Sequence, residues 1–152
     1  MRLTPEMTYV ETIDGPWGPT DGSSLGARLA WQVTTGRLYG DRINAELVTP
    51  GMDWIRLGPD GMRRQDLRVA LRTHDGEIIL LSYDNALIRA DEKFTAALAG
   101  GDETDFDDQY MRMVANFDTG AQRYSWLTQS LFVGKGRLAG RRKIEYLIYR
   151  ID

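Results

Sequence analysis

Along most of this chain, apolar and polar side chains alternate at every second position. Residues 65–73 divide into Leu67, Val69 and Leu71 against Asp66, Arg68, Ala70 and Arg72. Residues 109–118 divide into Met111, Met113, Ala115 and Phe117 against Tyr110, Arg112, Val114 and Asn116. Residues 122–133 give Leu127, Gln129, Leu131 and Val133 against Tyr124, Trp126, Thr128, Ser130 and Phe132. Successive side chains of a strand point to opposite faces, so this two-residue period predicts strands. The last segment sets Ile144, Tyr146, Ile148 and Arg150 against Glu145, Leu147, Tyr149 and Ile151, and is apolar on both sides. Glycine, 16 in all, interrupts the pattern at short intervals. Strands are expected over 6–13, 26–38, 41–49, 52–57, 65–73, 77–84, 109–118, 122–133 and 141–151. The Asp-Gly pairs in "PDGM" (59–62) and "HDGE" (74–77) mark two hairpins. One stretch departs from the period: "ADEKFTAAL" (90–98) groups Phe94, Ala97 and Leu98 on one helical face, with Gly100 and Gly101 as a stop. The elements together predict an all-β protein, a single antiparallel β-barrel domain over 1–152. Its strands should number about eight to nine, with one short helix in a long connection.

Composition narrows the chemistry. With 42% hydrophobic and 27% charged residues among 152, the chain is an ordinary globular one. The net charge of −3 creates no field for nucleic acid or an anionic membrane. No apolar run approaches the roughly 20 residues that span a bilayer, and the start "MRLTPEMTYVETIDGPWG" carries no export signal, so a cytoplasmic location is expected. The absence of cysteine removes disulfides, thiolate catalysis and zinc–thiolate sites. A single histidine, His74, expected on an exposed hairpin turn, argues against zinc or non-haem iron. The acidic run Asp102, Glu103, Asp105, Asp107 and Asp108 lacks calcium-loop spacing and reads as a solvated loop. No metal and no cofactor are therefore expected, no nucleotide-binding glycine motif occurs, and "GKGR" (134–137) reads as a basic glycine turn.

The two faces of each strand can be assigned in two ways. The mixed face, bearing Asp66, Arg68, Tyr110, Arg112, Tyr124 and Trp126, is either the solvated exterior or the lining of a cavity. Its aromatic content favours the cavity, since aromatics interleaved with a few polar groups suit a small-molecule pocket. The apolar face, with Leu67, Val69, Leu71, Met111 and Met113, would then point outward against the helix or a second subunit, and a homodimer is expected.

Six ordered motifs make the chain resemble an uncharacterised bacterial family, domain of unknown function 3237. They are Gly51/Asp53/Trp54, Asp60/Gly61, Asp66/Arg68, Thr73/Asp75/Gly76, Tyr110/Arg112 and Tyr124/Trp126/Leu127, within a likeness covering roughly 36–151. The resemblance implies a barrel of the kind seen in allene oxide cyclases and dirigent proteins, with the Asp, Arg, Tyr and Trp positions facing the lumen. It implies no reaction. The glycine-rich lead "DGPWGPTDGSSLGARLAW", the basic pair Arg63 and Arg64, and "YDNAL" from Tyr83 depart from the usual pattern.

These residues suit cofactor-free proton chemistry: isomerisation, cyclisation or a lyase step on a small carbonyl or carboxylate compound held in the barrel. Asp53, Asp66 and Tyr124 are the candidate catalytic groups, as bases and as a hydroxyl donor. Arg68, Arg112, Tyr110, Trp126, Tyr83 and Trp54 are the candidate substrate-binding groups. Two alternatives stay open: a binding barrel without turnover, and a structural or interaction protein with a packed interior. Asp66 with Arg68 can equally be a structural ion pair.

Overall fold

The computed structural model describes residues 1–152. Its strands are β1 (Leu3–Trp17), β2 (Arg28–Gly40), β3 (Ile43–Leu47), β4 (Gly51–Leu57), β5 (Met62–Thr73), β6 (Ile78–Arg89), β7 (Met111–Asp118), β8 (Leu131–Leu138) and β9 (Lys143–Ile151), with one helix, α1 (Glu92–Gly100). All pairings are antiparallel, and they close: β1 bonds to β9 on one side and to β2 on the other. β3 and β4 follow each other in a single place between β2 and β5. The result is a closed eight-place barrel with one strand position built from two strands. A barrel of this size has an interior just wide enough to be filled by side chains. No helix is long and apolar enough to cross a membrane.

Closure decides which face goes inside. Leu67, Val69 and Leu71 of β5 and Met111, Met113 and Ala115 of β7 are buried in the core, and the mixed rows of these two strands face out. This reverses the expected assignment there; within 122–133 the mixed set does supply buried residues, Tyr124 and Phe132, while Leu131 is exposed. A single-layer barrel has no second sheet to cover an apolar outer face, so the apolar rows must line the interior. The rows that prompted a second subunit are thus already covered by the barrel itself.

Two local elements also differ from expectation. Residues 122–127 form a 3₁₀ turn rather than the start of a strand. Tyr124 and Leu127, three apart, are the buried pair there, which is the 3₁₀ period and not the strand period. "GKGR" is part of β8, not a turn. Its glycines face the core: a Cβ on Gly136 would lie 2.6 Å from the Tyr146 ring and 2.8 Å from Met111 Sδ. The missing side chains make room for a tyrosine and a methionine to fill the lumen.

The helix expected over 90–98 is present, shifted by two residues to Glu92–Gly100. Asp91 caps it by accepting from the Phe94 N–H at 2.9 Å, and Gly101 ends it in the left-handed conformation at φ 74°. Phe94 is its buried residue, inserted over one end of the barrel.

Gly136→Ala is expected to destabilise the fold by about 1–3 kcal/mol through overpacking against Tyr146 and Met111. Urea unfolding measures this, and an unchanged midpoint would show that the close approach does not constrain β8.

Candidate functional site

The inward rows of five strands meet beneath α1. β1 turns Tyr9, Glu11 and Ile13 inward, β4 contributes Asp53 and Ile55, and β9 contributes Ile144 and Tyr146. On β5, Arg63 and Gln65 head the row that continues as Leu67. β6 needs a correction of phase to join them. Gln65 pairs with Ala86 but Asp66 pairs with Asp84, so Asn85 is an extra residue. It bulges out at φ 57° and accepts from Arg56 at 2.6 Å. The bulge lets Tyr83 and Ala86, three residues apart, both point inward.

The polar groups so gathered are almost wholly buried. Gln65 donates from Nε2 to Asp53 Oδ2 at 2.6 Å and accepts from the Tyr146 hydroxyl at 2.9 Å. The Tyr83 and Tyr146 rings lie 5.8 Å apart. Tyr9 Oη, Glu11 Oε2, Asp53 Oδ1 and Tyr83 Oη have no hydrogen-bond partner in the protein. Each such group costs roughly 1–3 kcal/mol to bury, so a cluster of them points to function rather than to stability. Glu11 and Asp53 line a cavity of about 30 Å³ together with Trp31, Arg63, Gln65, Phe94 and Leu98. That is room for one or two water molecules.

Burial governs the titration of both carboxyls. Loss of solvent, then the charge of Asp53, pushes Glu11 up to about 8. Loss of solvent pushes Asp53 up to about 7 against the hydrogen bond from Gln65 and the Asp66 backbone. Burial also drives the Tyr9, Tyr83 and Tyr146 hydroxyls well above their ordinary range, so they remain donors. Arg63 is the one basic residue lining the cavity. It is half-buried, loss of solvent lowers its pKa, and no carboxylate acts to raise it again.

Of the residues singled out from sequence, Asp53 and Tyr83 lie in this cluster. The others do not: Tyr124 is buried at the far end of the barrel, and Asp66, Arg68, Trp54, Tyr110 and Arg112 lie on the outside, which corrects their lumen placement. Asp66 and Arg68 form an ion pair at 3.6 Å on the outer face, with the arginine side chain 81% exposed. Trp54 is 55% exposed and Tyr110 40% exposed. Arg112 stacks on Tyr110 from outside, 5.2 Å from the ring centroid. Tyr124 is buried at the opposite end, where its hydroxyl donates to Asp75 Oδ1 at 2.7 Å. Asp75 also accepts from Thr73 at 2.6 Å and Arg123 at 3.0 Å, and these partners hold it down at about 2. Trp126 is half-buried there, 3.7 Å beneath the Arg42 guanidinium.

Sequence reasoning missed Tyr9, Glu11, Gln65 and Tyr146. A signal existed for the carboxylate. In β1 the inward row reads Met7, Tyr9, Glu11, Ile13, an apolar row broken by one acid. A charge inside an apolar row is more informative than charges on a mixed one.

Known proteins share this fold. The profile of the family described as "Protein of unknown function (DUF3237)" matches residues 1–151. A UPF0311 protein of Clostridium acetobutylicum is 26% identical over 134 residues, covering 84% of each chain. The crystal structure of a conserved protein of unknown function from Rhodopseudomonas palustris superposes with a TM-score of 0.85 at 21% identity, over 98% of this chain and 96% of that one. A structure described as an enzyme from Penicillium herquei gives 0.67 at 20% identity, over 100% and 98%.

The raised carboxyl pKa values fix the sign of the pH dependence. Between about pH 5 and 8 the folded state holds protons that the unfolded chain has released, so stability falls as pH rises through this window. Glu11→Gln is expected to match the wild type near pH 4 and to exceed it at pH 9 by on the order of a few kcal/mol. Parallel urea-unfolding stabilities across that range would contradict the burial argument.

Proposed function

The chain belongs to the family Protein of unknown function (DUF3237), and we propose that it is a cofactor-free enzyme of isomerase, cyclase or lyase type. It moves a proton on a small molecule bearing a carbonyl or carboxylate, held in the barrel lumen. The observation that carries this reading is the pair of buried carboxyls, Glu11 and Asp53, each with one oxygen free of any partner in the same cavity.

Their environments separate their roles. Near neutral pH Glu11, pushed up to about 8, holds its proton, whereas Asp53, at about 7, is partly ionised. Two carboxyls poised on either side of the working pH can serve as acid and base. Asp53 Oδ1 removes a proton from carbon or hydroxyl, and Glu11 delivers one elsewhere on the same molecule. Solvent exchange then restores both. Gln65, tied between Asp53 and Tyr146, fixes the base in orientation. The free Tyr9 and Tyr83 hydroxyls supply hydrogen bonds to an oxyanion that develops during transfer. Substrate enters by displacing Phe94 and Leu98, since the cavity beneath them measures only about 30 Å³.

That small volume also favours a second reading, a packed polar core with a structural role. Deuterium incorporation into small enolisable ketones in D₂O, followed by NMR, separates the two. The wild type is expected to accelerate exchange, and Asp53→Asn to lower the rate by roughly 10²–10⁴-fold. Equal rates for wild type and Asp53→Asn, with both folded, would remove Asp53 as the base and leave the structural reading.

A further inference from the structure

We infer that the lumen takes a small conjugated or aromatic monocarboxylate whose charged end is held by Arg63 at the rim. The inference rests on the lumen being a ligand site that opens by displacement of Phe94 and Leu98, since the closed cavity of about 30 Å³ holds only water, and adds to it the class of ligand and its anchor.

Arg63 stands apart from its neighbours. Arg64 pairs with Asp60 through two hydrogen bonds, at 2.6 and 3.1 Å. Arg68 pairs with Asp66, and Arg56 bonds Asn85 and faces Asp84 at 3.9 Å. Arg63 takes part in none of the protein's ion pairs or side-chain hydrogen bonds, although it is half-buried and lines the cavity. A guanidinium stripped of part of its water and given no partner is matched to a planar carboxylate, which it can grip through two parallel hydrogen bonds. Arg63 lines the same cavity as Glu11 and Asp53 without forming an ion pair with either, so one ligand can meet the guanidinium and both carboxyls. Much of the remaining lining is flat or apolar: Trp31, Ile55, Ile88, Phe94 and Leu98. A carboxylate on Arg63 with an uncharged, unsaturated body reaching toward Asp53 Oδ1 and Glu11 Oε2 fits this set of groups. Both buried carboxyls hold protons readily near neutral pH, which limits their repulsion of an anionic guest.

Calorimetric titration with cinnamate and with cinnamamide tests the assignment, since the two differ mainly in charge. The wild type is expected to bind cinnamate more tightly than the amide. Arg63→Met should weaken cinnamate binding by roughly tenfold to a hundredfold while leaving the amide unchanged, and Arg63→Lys should recover part of the loss. Circular dichroism and thermal melting establish that each variant is folded. No cinnamate binding at millimolar concentration, equal affinity for acid and amide, or unchanged cinnamate binding by Arg63→Met would each overturn the proposal. The double variant Glu11→Gln/Asp53→Asn separates this from the catalytic reading. If the wild type catalyses no exchange while Arg63-dependent binding persists in the double variant, proton transfer fails and the anchor stands.

Discussion

The organising constraint in this protein is the burial of two carboxylic acids, Glu11 and Asp53, inside a barrel one sheet thick. Moving a carboxylate out of water is so costly that the group either finds a partner or keeps its proton. Here the partner is incomplete. Gln65 satisfies one oxygen of Asp53, and no cation reaches either acid within the lumen. The titration of the site, the donor state of its tyrosines and its preference for a protonated interior follow from that arrangement.

Several unrelated features of the chain serve to assemble it. Closure of β1 onto β2 and β9 brings Glu11 into the ring. Glycines on the inward row of β8 yield space to Tyr146, whose hydroxyl holds Gln65. The Asn85 bulge resets β6 so that Tyr83 is buried inward, against Tyr146, while Ala86 also points in. α1 covers this end with Phe94, while the far end is fastened by Asp75 bridging Thr73, Tyr124 and Arg123. One end is thus tied by hydrogen bonds and the other closed by an apolar plug, which is the arrangement expected if only one end opens.

The barrel class, both Asp-Gly hairpins and the helix were legible, because period-two alternation, turn chemistry and a helical face ended by a glycine pair are local signals. The facing of the strands was not. Tyr110 made the mixed row look like a cavity wall, yet it sits outside, covered by Arg89 and Arg112, so its exposure is less costly than its residue type suggests. Asp53 could be picked out from its turn motif, whereas Glu11 lay in a segment read only as a strand. The alternation over 122–133 predicts a strand through Tyr124, whereas its three-residue spacing to Leu127 is the period of the 3₁₀ turn that forms there. The bulge at Asn85 leaves no clear mark in the sequence, so the company Tyr83 keeps could not be read without the register.

The account stands on the protonation of two side chains, and it can be tested on them directly. Carboxyl ¹³C NMR titration of protein labelled at Asp and Glu, with Glu11→Gln and Asp53→Asn for assignment, follows each acid by itself. Two resonances titrating as a coupled pair near pH 7 and 8, each lost in one variant, are predicted. If every carboxyl instead titrates below pH 5, the lumen is wet or its acids are paired, and both the buried-acid constraint and the chemistry built on it are wrong.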